Sequence, residues 1–188
     1  LEFKIEKTKN NIPTIGSFGF YFKNKGFENL IYSVKSEFKK AKIRLHITKA
    51  HFSGSITNND ISEFILSCYN ILKDSGIELE ISTNFMSDEN MIKWLSKNDL
   101  NALFYESNMD RGISSAVDYC VSSETPLITT ESGQFRHILN EIPIYPNILL
   151  KEAIELGNQA ILDLKNNWSN TKFINQYEKI IGNILNDI

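Results

Sequence analysis

The chain has 188 residues, of which 41% are hydrophobic, 11% aromatic and 23% charged. That length suits one α/β domain with a sizeable core, and four Pro, nine Gly and the apolar share exclude collagen-like, low-complexity and disordered sequence. A net charge of −3 gives no electrostatic footprint for nucleic acid or an anionic membrane, and no apolar run approaches the roughly 20 residues that span a bilayer.

Residues 1–11 are charged throughout, so they read as a linker and carry no secretory signal. Ile12–Phe18 is expected as a short buried strand, and Gly26–Lys39 as a helix with Phe27, Leu30, Ile31, Val34 and Phe38 at helical spacing. Ile43–Thr48 alternates as a strand. Asn59–Asp74 follows as a helix capped by Asn58 or Asn59 and stopped at Gly76. Ile77–Thr83 is a strand, Ser87–Lys97 a short helix, Leu100–Tyr105 a strand and Gly112–Ser123 a helix. Pro126–Thr130 is a strand, Gln134–Asn140 one or two helical turns and Ile144–Tyr145 an edge strand. Two helices, Leu149–Asn166 and Thr171–Asn186, close the chain. Strands separated by helices predict βαβ units. The fold expected is a Rossmann-like three-layer α/β/α domain with a mostly parallel sheet over 12–168, followed by a C-terminal helix over 169–188.

Cys68 and Cys120 lie in apolar stretches without a CxxC partner, which points to a reducing, cytoplasmic setting. Ligands of such sheets lie beyond the carboxyl ends of the strands, so the chemistry is sought in the loops there. Gly16-Ser17-Phe18-Gly19 followed by Lys23-Asn24-Lys25-Gly26 reads either as a phosphate cradle at a helix start or as an ordinary βα turn with solvated lysines. It is neither a Walker loop nor GxGxxG.

Asp110-Arg111-Gly112-Ile113-Ser114-Ser115-Ala116-Val117-Asp118 opens the next helix, with Ile113, Ala116, Val117, Cys120 and Val121 as its apolar stripe. Ser114 and Ser115 would offer the first turn to a phosphate. Asp118, roughly 6–9 Å further along, would accept from a ribose diol, or else be a plain surface acid. Thr130, Ser132 and Gly133 form a third loop with backbone donors, leading to Arg136 and His137. His46 reads as a packed strand residue, whereas His51, at a strand end, is the better acid, base or acceptor contact. No set of His, Cys and carboxylate residues is spaced as a metal site, and no hydrolase signature is present.

In order, Ile15-Gly16-Ser17-Phe18 with Lys25-Gly26, Asp110 with Asp118, Tyr119 to Ile128, and Thr130 to Gly133 resemble the C-terminal, donor-binding half of a GT-B glycosyltransferase of the large retaining group. Three departures stand out: Ser17 replaces the family's arginine, both carboxylates are Asp in place of Glu, and Glu124 replaces a glycine. The resemblance implies a nucleotide-sugar donor, UDP- or GDP-linked, bound as substrate with no resident cofactor and no metal. It implies that Asp110 lies near the transferred sugar, that Asp118 holds the ribose, and that Lys25 and Arg111 stabilise the diphosphate leaving group. Asn84 and Phe85 would meet the base. A glycan or lipid-linked acceptor and a missing N-terminal acceptor domain complete the picture. The setting implied is bacterial, cytoplasmic polysaccharide biosynthesis, with peripheral attachment at the inner face of the membrane left open. A nucleotide-sugar epimerase and a non-catalytic interaction module are the alternatives.

Overall fold

The computed structural model describes residues 9–50, 56–107 and 112–186. Among them, six strands make one sheet: β1 Thr14–Phe20, β2 Ala41–Thr48, β3 Ile77–Ser82, β4 Leu100–Leu103, β5 Leu127–Thr130 and β6 Ile144–Tyr145. Their order is β3-β2-β1-β4-β5-β6, and every neighbouring pair is parallel. The helices are α1 Phe27–Glu37, α2 Asn58–Leu72, α3 Asp88–Leu95, α4 Ala116–Ser122, α5 Leu150–Leu156, α6 Gln159–Asn167 and α7 Asn170–Asn186. The Rossmann-like layered architecture expected from the periodicity is therefore the observed one.

Strand alternation splits the core in two. On one face, Leu30, Val34, Phe64, Cys68 and Leu150 from α1, α2 and α5 pack on Ile15, Ile43 and Leu45. On the other, Trp94, Leu95, Val117, Cys120, Ile161 and Leu164 from α3, α4 and α6 pack on Phe18, Leu103 and Leu127. Both cysteines are buried and free, and burial pushes the Cys68 thiol up to about 12.

Four boundaries differ from the sequence expectation. The β1 strand runs on to Phe20, which puts Gly16 and Ser17 inside the sheet. The cap of α2 is Thr57, whose side chain accepts from the Asp60 amide while Asp60 returns a bond to the Thr57 amide. The α4 helix begins only at Ala116. The long helix expected over Leu149–Asn166 is two, because Gly157 adopts a φ of 72° between α5 and α6.

A buried polar chain crosses beneath β1 on the α3/α4 face. Arg44 on β2 donates to Glu80, to the Trp94 carbonyl and to Asn98 Oδ1, the last at 2.7 Å. Asn98 donates to Asn101 at 2.7 Å, and Asn101 donates to Ser123 at the end of α4. The chain fits only because β1 has a glycine there: a Cβ on Gly16 would stand 1.9 Å from Asn98 Nδ2. Gly16→Ala is expected to destabilise the domain by about 1–3 kcal/mol, the scale of an overpacked core. The check is a lowered midpoint in urea unfolding with an unchanged slope.

Candidate functional site

Strand order reverses between β1 and β4, since the chain leaves β3 at one edge and returns to the middle of the sheet. Splayed connections leave a crevice at the carboxyl ends there. A cavity of about 310 Å³ occupies it. Phe18, Gly19 and Phe20 bring the end of β1 to it, His46 and Thr48 the end of β2, and Tyr105 the second residue beyond β4. Phe85, Met86 and Asp88 close it from the β3–α3 side, and Ser114, Ser115 and Tyr119 from the approach to α4.

Lys25 reaches this cavity from a short 3-10 turn, Lys23–Lys25, just before α1. Its Nζ lies 3.6 Å from the centre of the Tyr105 ring. That cation–π contact holds a positive charge over the β1–β4 junction. The turn is fixed by Gly26, whose φ is 64° and whose absent Cβ would meet the Phe104 carbonyl oxygen at 1.8 Å. Tyr105 is buried, and burial raises its phenol well above the ordinary tyrosine range. Its hydroxyl accepts from Ser114 Oγ at 3.4 Å.

Across the cavity, Tyr119 donates to Asp88 Oδ1 at 2.7 Å and packs edge-on against Phe18. The Asp88 carboxylate first, and desolvation second, raise the Tyr119 phenol. The described lining thus offers one cation, one carboxylate and several aromatic faces. Phe85 is 90% exposed, a bare ring at the mouth. His46 is packed as the sequence suggests, with Nδ1 2.8 Å from Ser82 Oγ, and also borders the cavity. Burial lowers its pKa.

Of the residues singled out by sequence, Lys25, Phe85, Ser114 and Ser115 meet at this cavity. Asp110, Arg111 and His51 lie outside the described residues. Gly16 and Ser17 are interior to β1 and away from the cavity; Gly19 is the glycine that borders it. The Ser114 amide does not serve an open helix start, because it donates to the Gln134 carbonyl at 3.0 Å. Ile113, ahead of the helix, is exposed, so the buried stripe of α4 is Val117, Cys120 and Val121.

Asp118 is exposed and does not line the cavity; its charge acts on His137, which stacks on Trp168, and also on Tyr119 and Cys120. Asn84 is exposed beside the mouth without lining it. Thr130 and Ser132 donate to the carbonyls of Tyr105 and Glu106, and Gly133 is buried, so the third loop props the end of β4 from behind. Sequence reasoning missed Tyr105, Asp88 and Tyr119. Asp88 was visible as an acid just after a helix cap, at the carboxyl edge of the sheet. Among the described residues, no group of three or more His, Cys, Asp or Glu could hold a metal ion.

No family model and no curated protein matches the chain. Among solved structures, an OtsA trehalose-6-phosphate synthase superposes with a TM-score of 0.63 at 14% identity, over 95% of this chain and 44% of that one. A HepE from Anabaena in complex with UDP gives 0.60 at 11% identity, over 95% and 50%. An E. coli trehalose-6-phosphate protein bound with UDP-2-fluoro glucose gives 0.58 at 13%, over 95% and 41%. The chain therefore spans about half or less of these proteins, and has the fold of one half of a GT-B glycosyltransferase.

The buried His46 has a thermodynamic consequence. An unfolded imidazole takes up a proton near pH 6.5, while the folded one resists until lower pH, so the unfolded state binds more protons in that window. Stability is then full above about pH 6.5 and falls as pH drops below it. His137, lowered by burial first and by Arg136, adds a second share and is opposed by Asp118. Urea midpoints measured between about pH 7 and pH 5 should decline less steeply for His46→Gln than for the parent chain. Equal slopes would show that His46 keeps its ordinary pKa.

Proposed function

We propose that this chain is the donor-binding half of a glycosyltransferase, taking a UDP- or GDP-linked sugar as substrate and passing the sugar to a glycan or lipid-linked acceptor. The observation that carries the proposal is the Lys25–Tyr105 pair at the β1–β4 switch point, in a fold whose solved neighbours include structures with UDP and UDP-2-fluoro glucose. Transfer breaks the bond from the sugar's anomeric carbon to the diphosphate, and negative charge collects on the departing diphosphate. A cation already oriented at that place stabilises the charge as it develops. Lys25 is assigned this role, and Arg111 is proposed to assist it.

Phe85 offers its exposed face to the base. Asp88, held by Tyr119 with a second carboxylate oxygen remaining, accepts from the ribose hydroxyls. It takes the part that the family pattern gives to Asp118. Asp110 and His51 are proposed near the transferred sugar and the acceptor. The donor is consumed as substrate, and no resident cofactor is proposed.

The acceptor and the rest of the catalytic groups belong to an N-terminal half. Support comes from α7, which carries Phe173, Ile174, Tyr177, Ile180, Ile181, Ile184 and Leu185 exposed in one chain segment. Exposed apolar side chains gathered in one helix mark an interaction surface, and an N-terminal half is the proposed cover. No described helix is long and apolar enough to cross a membrane. Cytoplasmic polysaccharide biosynthesis remains the proposed setting.

Calorimetric titration with UDP, GDP and ADP tests the donor assignment. Heat with UDP or GDP is expected, and silence with all three nucleotides overturns it. Lys25→Ala should cost the nucleoside diphosphate about 1–2 kcal/mol while leaving the nucleoside unaffected. Asp88→Asn should weaken both, whereas Asp118→Asn should change neither.

A further inference from the structure

Phe85 offers a base its face, but a face is common to every base and selects none. The floor of the switch-point cavity is better placed to select. Phe18 on β1, His46 on β2 and Ser82 on β3 stand opposite one another in the parallel register, as one row across the sheet. Phe18 and His46 border the cavity, and Phe20 and Thr48, paired two residues further on, border it too. Neighbouring strands lie about 4.8 Å apart, so the β2 floor is roughly 5–10 Å from the Lys25–Tyr105 pair over the β1–β4 junction. That is the reach from a diphosphate through a ribose to its base.

From β1, β2 and the β3–α3 side, the described lining is apolar except for His46, Thr48 and Asp88, and Asp88 is held by Tyr119. The His46 ring is fixed in place. It is only 2% exposed, its Nδ1 lies 2.8 Å from Ser82 Oγ, and the centre of the Trp94 ring stands 6.0 Å away. Neither the Ser82 hydroxyl nor His46 Nε2 has another partner among the described residues. A hydroxyl so placed uses its proton by donating to Nδ1, and a neutral imidazole then carries its own proton on Nε2. Burial lowers the His46 pKa, which keeps the ring neutral at about pH 7. A donor held in an apolar floor discriminates strongly, because a ligand that leaves it unpaired pays the desolvation of that group.

We infer that His46 selects the base, its Nε2–H donating to the exocyclic carbonyl that uracil and guanine present where cytosine and adenine present an amino group. Thr48, two residues along the same strand face, stands beside that contact. The inference rests on the donor assignment. It makes His46 a specificity-determining contact, with no part in breaking the bond from sugar to diphosphate.

Two measurements on the whole chain test it. Ring-nitrogen NMR shifts of His46 should report the Nε2–H tautomer at about pH 7; the Nδ1–H form overturns the inference. Calorimetric titration should favour the carbonyl-bearing member of whichever pair binds, UDP over CDP or GDP over ADP, by about tenfold to a hundredfold. His46→Phe keeps a ring against Trp94 and removes both nitrogens. It should abolish the preference by weakening the favoured nucleotide alone, with the gain from nucleoside to nucleoside diphosphate unchanged. Where that variant does not fold, Ser82→Ala takes its place: the ring stays, its tautomer is freed, and the preference should narrow. Equal affinity for both members of a pair, or a preference undiminished in the folded variant, overturns the role of His46 and spares the donor assignment. A preference for CDP or ADP overturns it as well. Silence with all four nucleotides removes the donor assignment and this inference with it.

Discussion

The close approach of Asn98 to the bare Cα of Gly16 is the constraint on which the rest of the architecture turns. Arg44 is buried, and a buried cation is tolerated only when its donors are met. Glu80, the Trp94 carbonyl and Asn98 meet them, and the Trp94 ring lies 4.4 Å beneath the guanidinium carbon. Asn98 can reach Arg44 from the loop after α3 only by passing under β1. The same amide then engages Asn101, which engages Ser123. One unbroken polar path thereby ties β2, the end of α3, β4 and the end of α4. Those two helices carry the far wall of the switch-point cavity, so their spacing depends on a glycine some distance below it.

The cavity inherits its character from this frame. Phe18 and Tyr119 meet edge to face because β1 and α4 are held at a set separation. On the near side, Gly26 lets the chain press against the Phe104 carbonyl, and the preceding lysine is thereby carried over Tyr105. The aromatic ring both orients the ammonium and keeps bulk water from one of its faces. Charge placed before a ligand arrives needs little reorganisation when an anion enters or forms.

The layered fold was legible because alternating period-2 and period-3.6 stretches survive in this sequence almost without interruption. The site was legible only in part. Lys25-Gly26 was visible because a glycine ahead of an apolar-periodic run marks a helix start. Gly16 invited a loop assignment, but Gly in a strand also marks a close approach from outside the strand, and Asn98 supplies one. Tyr105 was hidden because a tyrosine ending an apolar strand looks the same whether it fills the core or floors a cleft. Asp118 was misplaced by a matter of helix register. With α4 starting at Ala116 and not at Gly112, the acid sits in the first turn and does not line the cavity. The break at Gly157-Asn158 was available as a breaker signal inside an otherwise continuous pattern.

Asp88 and Asp118 show why sequence spacing alone could not settle the carboxylate. Both lie in the first turn of a short helix on the same layer. What separates them is the partner each can find. The α3 and α4 helices pack against each other with their first turns side by side, which brings Tyr119 within hydrogen-bond reach of Asp88. Asp118 is the immediate neighbour of Tyr119 on α4, so it points about 100° away around the helix and does not line the cavity. Once Tyr119 faces the cavity, its neighbour cannot. The proposed choice of carboxylate therefore rests on the α3–α4 contact, which no pattern within either segment encodes.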